Sequence, residues 1–449
     1  MKIAFFDKII SPEIGSTIAG YAFDDISVAK RDDIHMTGLG LDDGENRALI
    51  LSFDLQSLDG WFIRRIRRAC AELLSTKEEL VLLSCTHNHS GPEASTPMVR
   101  FEKLNRPYLE QLERWVLEGV EELAAAPFQE VLTCFYSSYC DENDNRRYTG
   151  PDNTASFLPH RRELRALARG FADKEFGEIC FLDPVRRAPV YIIGNYAAHP
   201  LSGHAPGLGG LTISADYPGV FRRYIAEETG AGSMFISGAA GDMIPKWDEM
   251  GSSGMLRLGT ALAREALGGV IDAQRNPARL LMEDAKVGGR IGKFTVPIRK
   301  QYIGKLAPEY DGLKEVTLEV QCLAVGDVCF VGVPGELCAE LGQEIKWHAP
   351  FRKAFVAYYA TAEFSYICPG NFLVAGGYEG KAQAFSSRGG LKLVQCAVDA
   401  MYELHEELYP SSGEEPYPDY LEHPLVCLPP NREKLPHLAL PGRDGRIRG

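Results

Sequence analysis

Strongly apolar runs alternate with longer amphipathic stretches over most of the chain, and this alternation limits the fold more than any other feature. Strand-like runs occupy residues 48–53, 79–85, 131–136, 190–196, 233–236, 316–323, 328–333 and 354–359. Helical patterns occupy residues 58–74, 108–126, 217–228, 253–267 and 336–348. Near-continuous Val, Ile, Leu and Phe is typical of strands that are covered on both faces. The sequence therefore predicts an α/β fold with a mixed, mostly buried sheet flanked by helices.

The domain organisation follows from where this alternation stops. No internal repeat and no Gly/Ser-rich linker divides the first 410 residues, which predicts one domain over residues 1–410. Proline, glycine and charged residues dominate afterwards, which predicts an extended C-terminal tail over residues 411–449.

Charge and cysteine content restrict the partners and the compartment. The chain has 61 acidic and 48 basic residues, a net charge of −13, and such a surface repels nucleic acid. No apolar run approaches the ~18–20 residues of an integral membrane segment, and the N-terminus lacks the apolar core of a signal peptide. The 11 cysteines include no CxxC pair, which is typical of reduced thiols. We expect a cytoplasmic protein with a small-molecule substrate, and a homo-oligomer stays open.

Polar residues follow five of the predicted strands at the point where each apolar run ends. The side chains that could carry chemistry at these points are, in chain order, His87, His89, His199, Asp242, Glu336 and Tyr366. Ligands of α/β proteins gather beyond the carboxyl ends of parallel strands. If the strands are mostly parallel, these side chains converge on one site.

The imidazoles of His87, His89 and His199, together with the Glu336 carboxylate, are ligands typical of a catalytic zinc site. Because His87 and His89 are two residues apart, one can bind the ion while the other orients a ligand from outside the coordination sphere. Manganese or iron accepts the same ligands, so residue type alone does not select Zn²⁺. Each cluster alone is better explained as a polar loop, a turn or a helix N-terminus, but their joint occurrence favours a metal site.

The order and spacing of these clusters resemble those of the neutral/alkaline (non-lysosomal) ceramidase family, from the N-terminus to about Ser387. The shared elements are residues 86–92 (THNHSGP), residues 195–200 (NYAAHP), Gly241-Asp242 with Pro245, residues 334–336 (PGE), Tyr366 with Tyr378-Glu379 twelve residues later, and Asn145-Arg146. The resemblance implies an α/β catalytic domain that binds one zinc ion. It implies four metal ligands: His87, His199, Glu336 and Tyr366.

The resemblance also implies roles for residues around the metal. His89 would act as a catalytic or supporting imidazole, and Asn145 and Arg146 would line the substrate pocket. Arg146 could hold an anionic or carbonyl group of the substrate. Asp242 is a second candidate, beside His89, for moving the proton, although an aspartate after a strand also commonly caps a turn.

The sequence departs from the family at the position of a serine regarded as important for ceramidase catalysis. Ile244 stands there, and isoleucine can neither act as a nucleophile nor donate a hydrogen bond. The C-terminal residues also predict a tail rather than the immunoglobulin-like domain of the family. We therefore expect a zinc-dependent hydrolase that cleaves an amide bond in a small polar substrate by metal-activated water.

Three alternatives stay open. The first is a ceramidase that acts on N-acyl sphingoid lipids and uses water in place of serine. The second is a metal-dependent hydrolase or lyase of carbohydrates, in which Trp247 stacks on a sugar ring. The third is a non-catalytic ligand-binding homologue whose site is inactivated at Ile244.

Overall fold

A computed structural model of the chain describes residues 1–20, 25–96, 104–157, 168–203, 211–246 and 251–410. Residues Met1–Leu408 form one compact unit. Trp247 and the tail over residues 411–449 lie outside the described residues, so the expectations for both stay predictions. Among the described helices, none combines the length and apolar character needed to cross a bilayer.

The first of three large sheets is built from the N-terminal part of the chain. Its strands, in spatial order, are Val81–Cys85, Arg47–Phe53, His35–Asp42, Lys2–Ile9 and Gln129–Glu130. Neighbouring strands are antiparallel except Arg47–Phe53 and Val81–Cys85, which run parallel with Phe53 opposite Cys85. The helices Gly60–Leu74 and Arg106–Ala125 pack beside this sheet.

The second sheet has the strand order Gly232–Ser237, Pro189–Tyr196, Glu175–Leu182 and Leu132–Tyr139. Again one pair is parallel, Pro189–Tyr196 with Gly232–Ser237, and the other pairs are antiparallel. Successive side chains of a strand point to opposite faces. Tyr191 and Ile193 accordingly point to the core between the sheets, whereas Ile192 packs under the helices Asp216–Thr229 and Ser252–Arg275.

The third sheet repeats this plan with the order Val287–Pro297, Glu315–Val325, Val328–Gly332 and Lys353–Ala357. Its parallel pair is Val328–Gly332 with Lys353–Ala357. The helices Ala339–Trp347 and Gly389–Leu408 pack on it. Residues of all three sheets contribute to one shared hydrophobic core.

Short hydrogen bonds hold the three parallel pairs side by side. Ser52 Oγ, on the first sheet, donates to the Phe235 carbonyl of the second at 2.6 Å. Ser84 Oγ donates to the Tyr358 carbonyl beyond the third sheet at 2.9 Å, and Asn195 Nδ2 bonds the Val356 carbonyl at 2.9 Å. The carboxyl ends of the parallel strands therefore meet, and the polar clusters that follow them are brought together.

Short strands and helices lie outside the three large sheets. Asn143–Asn145 pairs antiparallel with Met243–Pro245, and Glu336–Leu337 pairs parallel with Tyr366–Ile367. The remaining short strands and helices are Ala29–Lys30, Arg147–Thr149, Ala155–Phe157, Ala168–Arg169, Thr212–Ile213, Glu78–Leu80, Pro277–Leu280, Lys300–Tyr302, Pro308–Tyr310, Gly370–Ala375 and Gly377–Ala382.

The predicted α/β class with mixed, buried sheets and flanking helices is confirmed. Two features differ from expectation. Most strand pairs are antiparallel, and within the three large sheets only the pairs that precede the polar clusters are parallel. The predicted helix at 336–348 begins at Ala339, because Glu336 and Leu337 extend as a strand along Tyr366–Ile367.

Candidate metal centre

His87 is fixed at the end of the first parallel pair by the loop that carries it. Its backbone is left-handed, with φ of 65°, so the chain turns sharply after the strand. The next side chain, Asn88, secures that turn by donating to the carbonyls of Asp54 at 3.1 Å and Ser214 at 2.7 Å. The His87 Nδ1 lies 3.0 Å from the Gln56 carbonyl, which places the ring hydrogen there and leaves an electron pair on Nε2.

His199 is held in the same manner at the end of the second sheet. Its Nδ1 lies 2.9 Å from the Met243 carbonyl, and its own backbone N–H donates to that carbonyl at 3.1 Å. The opposite ring nitrogen, Nε2, lies 3.1 Å from Glu336 Oε2. A carbonyl that fixes Nδ1–H and orients Nε2 is the usual support of a metal-binding histidine.

Glu336 supplies the only carboxylate oxygen found beside both imidazoles in the described part of the site. Its Oε2 also lies 3.6 Å from His87 Nε2 and 3.4 Å from the Tyr358 hydroxyl. Burial acts to raise the pKa of Glu336, but His87 and His199 outweigh it and hold the pKa well below its usual range. Glu336 is therefore ionised at neutral pH.

His89 joins the cluster from the loop of His87. Its Nε2 lies 3.0 Å from His87 Nε2, and its backbone N–H donates to the Pro200 carbonyl. Gly20 packs so closely that an added Cβ would lie 2.3 Å from His89 Nδ1, so only glycine fits there. Burial lowers the pKa of His87 to about 3 and lowers the pKa of His89 well below its usual range. Both rings are neutral at pH 7.

These residues fit a cation. The ring nitrogens of His87, His89 and His199 lie within 4.8 Å of one another and are buried. The Nε2 electron pairs of His87 and His199 face an ionised carboxylate, so three acceptors point at a common region. Acceptors repel one another unless a positive charge lies between them, and two or three imidazoles with one carboxylate are a zinc ligand set.

Asn145 and Asp242 form a rigid contact beside this cluster. Asp242 accepts hydrogen bonds from Asn145 Nδ2 at 2.6 Å and from the Ala339 backbone N–H at 2.8 Å. Burial raises the pKa of Asp242 above its usual range, although both donors oppose this. Through these two contacts, Asp242 links the strand Asn143–Asn145 to the start of the helix Ala339–Trp347. A role for Asp242 in proton transfer stays a prediction.

Arg146 is 4% exposed and contacts protein groups on several sides. Its Nε donates to Glu379 at 2.9 Å, and its Nη2 donates to the Gly241 carbonyl at 2.8 Å and to the Tyr366 hydroxyl at 2.9 Å. Burial raises the pKa of Tyr366 well above its usual range, while the Arg146 guanidinium acts in the opposite direction. The tyrosine that the resemblance implies as a ligand is thus oriented by Arg146.

The predicted residues fall into two groups. The structure brings His87, His89, His199 and Glu336 together, and Tyr366 lies opposite Glu336 in a short parallel strand pair. Asn145 and Arg146 form a second group of contacts, with Asp242 and Tyr366 respectively. The individual roles stay predictions. Ile244 is buried, opposite Asp144 in a short strand pair.

Sequence reasoning missed two tyrosines that contact the site, and it included Glu379 in the family pattern without giving it a role. Tyr359 stacks on the His87 ring at 4.8 Å between ring centroids, and the Tyr358 hydroxyl approaches Glu336. Glu379 is the carboxylate that binds Arg146. The two tyrosines ended a predicted strand that leads to the site, which is the signal that could have found them.

The chain matches known proteins among solved structures only. No protein-family model matches the chain, and no curated protein matches it in sequence. Among solved structures, neutral ceramidase from Pseudomonas aeruginosa matches with a TM-score of 0.71 and 16% identity, over 93% of this chain and 76% of that chain. A ceramidase complexed with C2 matches with a TM-score of 0.72 and 16% identity, over 95% of this chain and 78% of that chain. The chain therefore has the ceramidase fold.

Proposed function

We propose that this chain, folded as a ceramidase, is a zinc-dependent hydrolase that cleaves an amide bond. The observation that carries the proposal is the convergence of His87, His199 and Glu336 from three sheets, with Glu336 Oε2 at 3.1 Å from one imidazole nitrogen and 3.6 Å from the other. The likeness to solved ceramidases at 16% identity supports the choice of fold, and the chemistry rests on these side chains.

The position of each protein group determines the role that we propose for it. Zinc, when bound, supplies Lewis acidity and makes a water acidic enough to ionise near pH 7. His87, His199, Glu336 and Tyr366 would hold the ion. The Gln56 and Met243 carbonyls prevent the two rings from turning, so the ligand geometry exists before substrate arrives.

His89 is the group best placed to move a proton. It lies directly beside His87, with 3.0 Å between the two Nε2 atoms. It would accept a proton from the attacking water and return it to the nitrogen of the leaving amine. Asp242 is less suited, because both of its carboxylate oxygens already accept hydrogen bonds.

The substrate that we propose is a small polar amide. This choice rests on Ile244, which stands where the family resemblance places serine and offers no hydrogen bond to a substrate. A ceramidase that acts on N-acyl sphingoid lipids is the second candidate, and the two solved ceramidases with this fold favour it. Asn145 would contact substrate in either case.

An assay of the purified protein separates these candidates. The protein is measured by mass spectrometry for bound metal, then tested on short N-acyl amides and on a labelled ceramide, before and after chelation. We expect about one zinc per chain, and amide hydrolysis that chelation abolishes and zinc restores. Robust fatty-acid release from ceramide would favour the second candidate. Zinc binding without turnover of either class would contradict both.

A further inference from the structure

We infer that Glu379 is a positioning residue, which sets the phenolic oxygen of Tyr366 toward the metal centre by fixing the Arg146 guanidinium. This inference rests on the proposed function, since it gives Tyr366 the role of a metal ligand. It also changes the role of Arg146: this arginine orients a ligand, whereas the sequence suggested that it holds the substrate.

The geometry of Arg146 carries the first step. Its guanidinium is planar and presents its donors in a fixed fork. Glu379 accepts from Nε on one edge at 2.9 Å, and the Gly241 carbonyl accepts from Nη2 at 2.8 Å. With these two acceptors in place, the plane cannot rotate. The same Nη2 then reaches the Tyr366 hydroxyl oxygen at 2.9 Å.

The surroundings of Glu379 carry the second step. Its side chain is 1% exposed, and its second oxygen lies 3.5 Å from Arg147 Nη1. Two guanidinium groups therefore compensate one buried carboxylate, which keeps the charge stable in that position. Arg147 also donates from Nη1 to the Gly376 carbonyl at 2.8 Å. The next residue, Gly377, has φ of 85°, and an added Cβ there would lie 2.5 Å from Arg147 Nη1.

The chain of contacts thus runs from a buried carboxylate to the oxygen of an implied ligand. The two carboxylate oxygens of Glu379 face Arg146 and Arg147 rather than the imidazole cluster. Its effect must pass through Arg146. Outer groups that orient ligands typically contribute ~10–100-fold in metal affinity or activity.

Ferric ion is a suitable probe, because a tyrosinate bound to ferric iron gives a visible charge-transfer band that imidazole and carboxylate ligands do not give. We expect the ferric-loaded protein to show this band and Tyr366→Phe to abolish it. Glu379→Ala should weaken or shift the band and lower kcat about 10–100-fold while changing KM little. Glu379→Gln keeps an acceptor for Arg146 Nε and should restore most of both signals.

A matched control separates positioning from loss of a buried ion pair. Glu319→Ala removes the partner of the buried Arg67, at 3.0 Å, away from the metal centre, and should leave the band and kcat unchanged. Circular dichroism verifies folding. If Glu379→Ala does not fold, Arg146→Lys gives the same test, because a single ammonium group cannot reproduce the fork.

Three outcomes decide the inference. An unaltered band and kcat in folded Glu379→Ala would overturn it. Metal binding with no tyrosinate band in the wild-type protein would also overturn it, while leaving the proposed hydrolase in place. Failure to bind zinc or ferric ion at all would instead reject the proposed function itself.

Discussion

Two buried glutamates, Glu336 at the candidate metal centre and Glu178 on the second sheet, have the same chemistry and opposite environments. Glu336 faces two imidazoles, which hold its pKa well below its usual range. Glu178 is fully buried against the helix Ser252–Arg275, where burial raises its pKa well above its usual range. The surroundings of Glu336 favour the ionised carboxylate, and those of Glu178 favour the protonated acid.

The difference shows why burial alone does not identify a functional carboxylate. A buried acid without compensating groups remains protonated and contributes a polar defect to the core. A buried acid that is ionised beside imidazole nitrogens is ready to bind a cation, and its charge becomes favourable when the cation arrives. Substitutions at and away from the two carboxylates test this contrast.

Removal of an imidazole at the metal centre should have the largest effect. We expect His87→Ala and His199→Ala each to lose zinc and to reduce turnover by more than the ~10–100-fold of an outer-group change. Metal analysis and circular dichroism provide the measurement. His348→Ala, at a 61% exposed side chain, is the control and should retain both zinc and activity. Full zinc in both ligand variants would exclude them from coordination.

Neutralising Glu336 should be nearly as severe. Glu336→Gln keeps the shape but removes the charge that faces His87 and His199. We expect zinc affinity to fall at least ~10-fold, measured by competition with a chromogenic chelator. The same substitution at Glu178 should leave zinc affinity unchanged. Equal losses of zinc affinity in Glu336→Gln and Glu178→Gln would show that the two carboxylates do not differ in metal binding.

Space beside Glu178 offers a third test, through two neighbouring glycines. A Cβ at Gly269 would lie 2.2 Å from Glu178 Oε2, whereas a Cβ at Gly268 meets nothing within 4 Å. Gly269→Ala should lower the free energy of unfolding by about 1–3 kcal/mol through overpacking. Gly268→Ala, the matched control, should raise it by up to about 1 kcal/mol because alanine favours the helix. Urea unfolding measures both free energies. Equal changes in the two variants would show that Gly269 does not pack closely against Glu178.

The pH dependence of stability should differ between wild type and Glu178→Gln. Because the folded pKa of Glu178 is raised, the folded state retains a proton that the unfolded chain releases above about pH 4.5. Stability therefore falls as pH rises above that value, at up to about 1.4 kcal/mol per pH unit from this group, until the folded pKa is reached. Glu178→Gln should lack this part of the slope in urea unfolding. Identical slopes would show that Glu178 is ionised in the fold.

The smallest effect is expected at Ile244. Ile244→Ser restores the hydroxyl that the family resemblance implies, but Ile244 is buried in the short strand opposite Asp144. We expect no turnover of labelled ceramide in this variant, because one hydroxyl does not reshape a pocket. Appearance of ceramide turnover would show that this residue alone redirects the substrate.

The sequence predicted the strands that carry the candidate metal centre because those strands are continuous apolar runs. Each run ends at a polar cluster, so His87, His199 and Glu336 could be placed at strand ends without knowing the topology. The strands Lys2–Ile9 and His35–Asp42 were missed, since their apolar residues are interrupted by charge or glycine. The helix Gly389–Leu408 was also missed, although its apolar spacing is helical.

The contacts between distant residues could not be predicted from one sequence. The sequence placed Glu336 in a helix, because the strand with which it pairs begins at Tyr366, thirty residues later in the chain. Arg146 was assigned to the substrate, because its partner Glu379 lies 233 residues away. Residue types indicate which chemistry is available, and only the fold decides which groups satisfy one another.

Anomalous X-ray diffraction at the zinc edge, from crystals of the zinc-loaded protein, would locate the ion itself. We expect one strong peak at about 2.0–2.2 Å from His87 Nε2, His199 Nε2 and a Glu336 oxygen. Strong zinc signal elsewhere in the molecule, with none among these three residues, would contradict the proposed metal centre.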